Sequence, residues 1–271
     1  MFEVNLMPDE VFPYPTVKSV AFEIKFPHLF SIENRIGEFQ EQIIANFPES
    51  RQVLRQQLMF RDTTDDITLE RLRKEINPNS VTKGWVFLSP DKTEVTVHTN
   101  SLSIVSGQHK TYDAEGADKK FRDVISYVVN AFLGIIKVPV LGRIGLRYTD
   151  FCPVPSNSSE ALNSLYNLIL PTPKFPLEDL ERMHFELITK RKNHKFIYQE
   201  TFVSPEEMKQ SGLEPLPGPF TLVLDFDGFD TNIPANNYLT VTNELHQIIK
   251  EEYLKIIKDP IKEYMRTGKI P

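Results

Sequence analysis

The feature that most constrains the fold is the alternation of two hydrophobic periods along the chain. In residues 17–26, the apolar side chains Val20, Phe22, Ile24 and Phe26 fall at every second position, which is typical of a half-buried strand. In residues 121–133, the apolar side chains fall at spacings of three and four, which is typical of an amphipathic helix. Because runs of strands alternate with single helices, the sequence predicts an α+β protein rather than a doubly wound α/β fold.

The order of the predicted elements is similar in the two halves of the chain. Residues 1–137 contain a strand at 17–26, a helix at 32–47, three strands at 85–88, 94–99 and 102–105, and a helix at 121–133. Residues 138–271 contain a strand at 140–148, a helix at 162–169, three strands at 183–190, 195–203 and 220–227, and a helix at 241–257. Each half therefore has the order β-α-β-β-β-α, a pseudo-repeat without evident sequence identity. We expect one compact domain in which the helices of both halves pack on one face of a single curved antiparallel sheet, or of two antiparallel sheets placed edge to edge.

Residues 49–80 differ in character from the segments around them. They contain six basic and six acidic residues and few aromatic ones. A segment with this charge density is typically solvated. The sequence therefore predicts a charged insertion at 49–80, between two regular elements of the first half.

Composition limits the compartment and the class of partner. The 271-residue chain has 31 Lys and Arg against 37 Asp and Glu, a net charge of −6, which argues against general nucleic-acid binding. The single cysteine, Cys152, excludes an intrachain disulfide and is compatible with a reducing cytosol. No apolar run approaches the roughly 20 residues that cross a bilayer, and the N-terminus does not resemble a signal peptide. We therefore expect a cytoplasmic protein without membrane contact.

Six charged side chains form the most unusual local pattern, because they lie on the polar sides of three predicted strands. They are Glu23 and Lys25 on the first strand, Arg143 and Arg147 on the fifth, and Asp225 and Asp227 on the eighth. If the two halves are related, the first and fifth strands occupy equivalent places, and Glu23 then lies near Arg143 or Arg147. Gly145, between the arginines, leaves bare backbone that a ligand or a neighbouring side chain can approach.

Two interpretations of these six residues remain open. Two arginine forks oriented by carboxylates form an anion site for a carboxylate or phosphate group. Alternatively, the residues form a ladder of cross-strand ion pairs on a solvated sheet face, each weakly stabilising. The second arrangement is the more common one in proteins.

The sequence predicts no metal, cofactor or catalytic residue. Asp225, Asp227 and Asp230 offer oxygen ligands, but Asn236 at the twelfth position is a poor match to the glutamate of a calcium loop. Asp and Gly at 227–228 are also typical of a turn after a strand. None of the six histidines has a partner at zinc-ligand spacing, and the sequence has no Gly-rich phosphate loop or nucleophile elbow. We expect His246, on the last helix, at a helix boundary or a partner contact.

Several short motifs carry a family resemblance that spans nearly the whole chain. They are VAFEIKF at 20–26, GEFQ at 37–40, NFP at 46–48, WVFLS at 85–89 and RIGLRY at 143–148. On these motifs the chain resembles a sporadically distributed family of uncharacterised bacterial proteins, which implies no particular activity. Similar proteins have Asn where this chain has Asp150, a departure that weakens any role for that position. The element order is also similar to the duplicated fold of the TATA-box binding protein, a likeness of fold that implies no function.

Three hypotheses about function follow. The first, which we favour, is a non-catalytic binding module whose open polar sheet face engages an unknown protein segment or an anionic small molecule. The second is a Mg²⁺-dependent enzyme for a phosphorylated or nucleotide substrate, with Asp225 and Asp227 on the metal. The third is a structural subunit of a hetero-complex that uses the last helix and residues 49–80. A binding module requires a concave cavity at Arg147, the enzyme requires converging carboxylates, and the subunit requires a large exposed apolar patch.

Overall fold

The computed structural model describes residues 10–56, 81–109, 111–115, 117–156, 158–169 and 182–270. Together these residues form one antiparallel sheet of nine strands with helices packed on it. The strands are β1 (Val17–Lys25), β2 (Glu49–Gln56), β3 (Val81–Leu88), β4 (Glu94–His98), β5 (Ser101–Ser106), β6 (Val140–Val154), β7 (Arg182–Arg191), β8 (His194–Val203) and β9 (Phe220–Pro234). The helices are α1 (Ser31–Ile43), α2 (Phe121–Ile135), α3 (Ser159–Leu165), α4 (Pro205–Gln210), α5 (Tyr238–Ile256) and α6 (Asp259–Thr267).

The strand order places β1 and β6 next to each other inside the sheet. The order is β2-β3-β4-β5-β1-β6-β9-β8-β7, and every neighbouring pair is antiparallel. The first strands of the two halves therefore pair directly, with Glu23 opposite Gly145 and Lys25 opposite Arg143. The predicted α+β class with an antiparallel sheet is confirmed.

One face of the sheet is apolar because alternate residues of each strand point to it. Across five adjacent strands, Phe87, Val95, Ile104, Phe22 and Leu146 lie opposite one another in register, and each is at most 2% exposed. Burying a side chain of this kind contributes about 1.5–3 kcal/mol relative to leaving it in water. The period-two pattern of residues 17–26 predicted this side of β1 correctly.

Helices α1, α2 and α5 pack on this apolar face. Phe39 of α1 lies edge-to-face against Phe87, with ring centroids 5.5 Å apart, and against Phe132 of α2 at 5.8 Å. In the second half, Leu245 of α5 packs on β9 at Gly228, where a β-carbon would lie 3.3 Å from Leu245 Cδ2. The opposite face, which we call the open face, carries the polar alternate residues of β1, β6 and β9.

The prediction of a charged insertion at 49–80 is wrong for the first part of that range. Glu49–Gln56 is strand β2, which pairs with β3 along its whole length, while residues 57–80 lie outside the described residues. β2 has β3 as its one neighbour in the described sheet, and both Arg51 and Gln52 are exposed. Because polar residues occur on both sides of this edge strand, its sequence does not show the period-two hydrophobic pattern of a half-buried strand. The first half therefore has one strand more than the predicted order β-α-β-β-β-α.

The predicted turn after Asp227 is also wrong, because β9 continues to Pro234. Gly228 lies opposite Leu146 of β6 and Phe196 of β8. Backbone pairing on both sides holds residues 227–229 extended and outweighs the local turn preference of Asp-Gly.

Two short helices are absent from the sequence prediction. Helix α4 lies in the segment between β8 and β9, where Leu216 N–H donates to the Oγ1 of Thr221, an almost fully buried residue. Helix α6 follows the predicted end at Asp259-Pro260, since proline is tolerated in the first turn of a helix. Its buried Ile261 and Met265 belong to the core.

Candidate functional site

The six charged residues predicted from the sequence lie together on the open face, and we call them the charged cluster. Its members are Glu23 and Lys25 of β1, Arg143 and Arg147 of β6, and Asp225 and Asp227 of β9. The pairing register of the three strands explains why these side chains lie together. Glu23 of β1 lies opposite Gly145 of β6, the residue midway between the two arginines, and Gly145 lies opposite Phe229 of β9, two residues after Asp227. Three adjacent strands therefore bring side chains from distant parts of the chain to one place.

Arg143 lies at the centre of the charged cluster. Its Nη1 donates to Glu23 Oε2 at 2.8 Å, and its Nη2 donates to Asp227 Oδ2 at 2.9 Å. The guanidinium also lies over the ring of Phe229, 4.6 Å from the centroid, a cation–π contact. With two carboxylates and an aromatic ring around it, the Arg143 side chain is only 22% exposed. Arg143 therefore holds the cluster together rather than presenting a free fork.

Gly145 makes room for this guanidinium. A β-carbon at position 145 would lie 2.7 Å from Arg143 Nη1 and 3.0 Å from Arg143 Cζ. The sequence left open whether a ligand or a neighbouring side chain approaches the bare backbone at Gly145. In the structure, the Arg143 side chain occupies this space.

Replacing Gly145 with Ala is expected to destabilise the protein by about 1 kcal/mol, because the β-carbon displaces Arg143 from its two carboxylates. In an Arg143→Ala background, the same replacement is expected to be neutral or stabilising, since Ala loses less backbone entropy than Gly. Urea denaturation of the four proteins measures both effects. An equal loss of stability in the two backgrounds would contradict this explanation.

Arg147 is held through one nitrogen. Its Nε donates to the two oxygens of Asp225 at 2.8 and 3.0 Å, and Thr149 Oγ1 donates to Asp225 Oδ2 at 3.0 Å. The hydrogen bond with Asp225 raises the pKa of Arg147 above its ordinary value. The Arg147 side chain is 54% exposed, although Asp225 is almost buried. Its hydrogen bonds to the described residues run through Nε, so the terminal Nη1 and Nη2 are the accessible part of the fork.

Asp227 is partly buried between the two arginines. Burial raises the pKa of this carboxyl, and the positive charges of Arg143 and Arg147 partly oppose that rise. Because Asp227 accepts two hydrogen bonds from Arg143 Nη2, at 2.9 and 3.1 Å, its carboxylate is fixed in orientation. The cluster is thus a structured network rather than a set of independent surface charges.

A concave cavity of about 380 Å³ lies over the cluster on the open face. Small and charged residues form most of its lining, together with Phe22, whose side chain belongs to the apolar face: Ala21, Glu23, Lys25, Ser103, Arg143, Gly145, Arg147 and Asp227. The three basic and three acidic members of the cluster balance in charge. Any preference of this cavity for an anion therefore depends on the exposed edge of Arg147 and on Lys25, whose side chain is also 54% exposed.

Sequence reasoning missed Phe229 and Thr149 as parts of this site. Phe229 lies two residues after Asp227 on the same side of β9, and the predicted turn at Gly228 concealed that relation. The signal was present in the sequence as the continued alternation of Asp225, Asp227 and Phe229.

The carboxylates of the cluster are directed to the arginines rather than to a shared point. In the described part of the chain, no group of three or more His, Cys, Asp or Glu residues has the geometry to hold a metal ion. The arrangement that the Mg²⁺-dependent hypothesis requires is therefore not found among those residues. Cys152 is fully buried in β6, and burial raises the pKa of its thiol.

A second cavity, of about 180 Å³, lies on the helix side of the sheet. His246 of α5 lines it and stacks on Tyr112, with ring centroids 4.1 Å apart and planes inclined by 15°. Tyr148 Oη lies 3.2 Å from His246 Nδ1, and Asp150 also lines the cavity. His246 was expected at a helix boundary or a partner contact; the structure places it in a cavity wall in the middle of α5. No local motif marks this cavity, because its residues come from separate segments.

In comparisons with known proteins, no family model, no curated protein and no solved structure matches this chain. The resemblance to the bacterial family therefore stays a prediction. Within the described residues, no helix has both the length and the apolar character needed to cross a lipid bilayer.

Proposed function

We propose that the protein is a non-catalytic binding module that takes an anionic group at the charged cluster on its open face. The observation that carries the proposal is Arg147, which presents the terminal edge of its guanidinium beside a concave cavity. A carboxylate or phosphate group on a small molecule or protein segment matches that edge in geometry and charge.

Arg147 and Arg143 have different parts in this proposal. Arg143 is surrounded by Glu23, Asp227 and Phe229, and it keeps the floor of the cavity rigid. Asp225 fixes Arg147 through Nε, so the direction of its exposed terminal edge is set before a ligand arrives. Preorganisation of this kind lowers the entropic cost of binding.

We further propose that the two halves are pseudo-repeats, similar in order to the duplicated fold of the TATA-box binding protein. In support, the strands on the two sides of the central pair β1–β6 follow in the orders β5-β4-β3 and β9-β8-β7. Strand β2 and helices α4 and α6 depart from strict repetition.

We also propose a cytoplasmic location, for which the free Cys152 thiol is the supporting observation.

The test replaces Arg147 with Ala and measures thermal unfolding with phosphate and with citrate as probes. We expect both anions to raise the Tm of the wild-type protein and to lose this effect in the variant. Because the replacement leaves the nearly buried Asp225 carboxylate without its arginine, it is expected to cost about 1–3 kcal/mol, less than the deletion of a large core side chain.

The matched control is Arg51→Ala, which removes an exposed arginine from β2, far from the cluster in the strand order. This variant should keep the anion effect of the wild-type protein. The proposal is overturned if neither anion stabilises the wild type, if Arg147→Ala keeps the full effect, or if Arg147→Ala unfolds like a core mutant.

A further inference from the structure

The second cavity is lined mainly by apolar and aromatic side chains. It lies between the start of β1, the middle of β6, helix α5 and the segment that precedes α2. Aromatic rings form much of its wall: Phe12, Tyr112, Phe121, Tyr148 and Tyr253. Its volume of about 180 Å³ is close to that of an engineered apolar cavity of about 150 Å³ that holds benzene. The space therefore fits one six-membered ring with a short substituent.

Among the described residues that line this cavity, Asp150 is the acidic one whose carboxyl is withdrawn from solvent. Asp150 is 2% exposed, and its Oδ1 accepts a hydrogen bond from Thr16 Oγ1 at 2.7 Å. Thr16 Oγ1 lies in turn 2.6 Å from Tyr253 Oη, which is part of the wall. Within the described residues, Thr16 is the hydrogen-bond donor that the structure gives to this carboxyl. A buried carboxyl with so few donors has capacity for a further one.

The other charges of the lining lie nearer the solvent and balance one another. Glu10 and Asp113 are exposed, and Lys250 and Lys262 are partly exposed. Glu10 is paired with Arg266 at 2.8 Å, and Lys262 is paired with Asp259 at 2.9 Å. Asp150 therefore decides which charge the inner part of the cavity prefers, and that charge is positive.

We propose that this cavity binds a small amine that carries one six-membered ring, with the ring against the aromatic wall and the ammonium group on the Asp150 carboxylate. Two contributions favour this class of ligand over a neutral molecule of the same shape. The ammonium donates a charge-assisted hydrogen bond to a buried carboxylate whose hydrogen-bond partner in the described part of the chain is the neutral hydroxyl of Thr16. The faces of the Tyr and Phe rings also attract a cation. The site is separate from the charged cluster, which lies on the opposite face of the sheet.

The test compares three probes that share one ring and differ in their polar group: benzylamine, benzyl alcohol and benzoate. Their dissociation constants are measured by calorimetry at pH 8 on the full chain and on the variant Asp150→Asn. Asn has nearly the same shape as Asp and keeps a carbonyl acceptor for Thr16, so the variant removes the charge and replaces the second oxygen with an amide donor. We expect the wild type to bind benzylamine at least about tenfold more tightly than benzyl alcohol, and benzoate most weakly. In Asp150→Asn, the benzylamine preference should fall to within about twofold.

The control variant is Asp118→Asn, the same replacement at an exposed position before α2. It should keep the tenfold preference of the wild-type protein. The proposal is overturned if benzylamine does not bind, if benzyl alcohol binds equally well, or if the preference persists in Asp150→Asn. Loss of the preference in Asp118→Asn would also contradict it, because the discrimination would then come from a surface charge.

Discussion

Replacing Asp150 with Asn is expected to make the protein more stable at neutral and alkaline pH. Burial raises the pKa of the Asp150 carboxyl to about 7, although the hydrogen bond from Thr16 lowers it and the nearby Asp225 charge raises it further. The unfolded chain has an Asp pKa of about 3.9. Above that value the unfolded state releases the proton while the folded state retains it, so stability falls as pH rises toward 7. Asn does not ionise and escapes this loss.

The expected size of the effect follows from the two pKa values. The stability of Asp150→Asn relative to the wild type should rise by about 2–3 kcal/mol between pH 5 and pH 8. Urea denaturation of both proteins at the two pH values measures this difference. His246 lines the same cavity and is present in both proteins, so comparing the two curves isolates Asp150. A gap that stays constant with pH would show that Asp150 does not titrate in this range.

Replacing Phe226 with Ala is expected to destabilise the protein by about 3–5 kcal/mol, as for other large aromatic side chains deleted from a core. Phe226 is fully buried, and its ring centroid lies 5.1 Å from that of Tyr198 and 6.0 Å from that of Tyr253. The new cavity would lie between the sheet and α5, directly beneath the strand that carries Asp225 and Asp227. Urea denaturation with a fitted midpoint and slope measures the loss.

Phe229→Ala is the matched control, because it removes the same side chain from the same strand on the opposite face. It loses mainly the cation–π contact with Arg143, so we expect a cost of about 1 kcal/mol. The ratio of the two effects tests the continuous path of β9 through Gly228. If Phe229→Ala cost as much as Phe226→Ala, the alternation that places the charged cluster on the open face would be wrong.

The part of the site that the sequence predicted follows from the alternation of side chains between the two faces of a strand. Alternation within one strand put Glu23 with Lys25, Arg143 with Arg147, and Asp225 with Asp227, and each pair does lie on the open face. Pairing of β1 with β6 was expected from the similar order of the two halves. Alternation does not predict which carboxylate pairs with each arginine. The pairing of Arg143 with Glu23, for example, depends on the register between strands.

The residues of the second cavity, in contrast, could not be grouped from the sequence. Asp150, Tyr148 and His246 belong to a strand and a helix that are far apart in the chain, and Tyr112 belongs to an irregular segment. Nothing in their local sequence relates them. The local sequence around Asp150 predicts no role for this carboxyl. Its burial, which raises its pKa, is a result of the tertiary fold.

The sequence by itself determined the class of fold, most of the strands and the sides on which their residues lie, because hydrophobic periodicity is a local property of the chain. The tertiary structure alone decided that β9 continues through Asp-Gly, that residues 49–56 form an edge strand, and that Arg143 fills the space over Gly145. Each of these depends on hydrogen bonds or contacts with residues distant in the chain. Their free energies exceed the weak conformational preferences from which the sequence prediction was made.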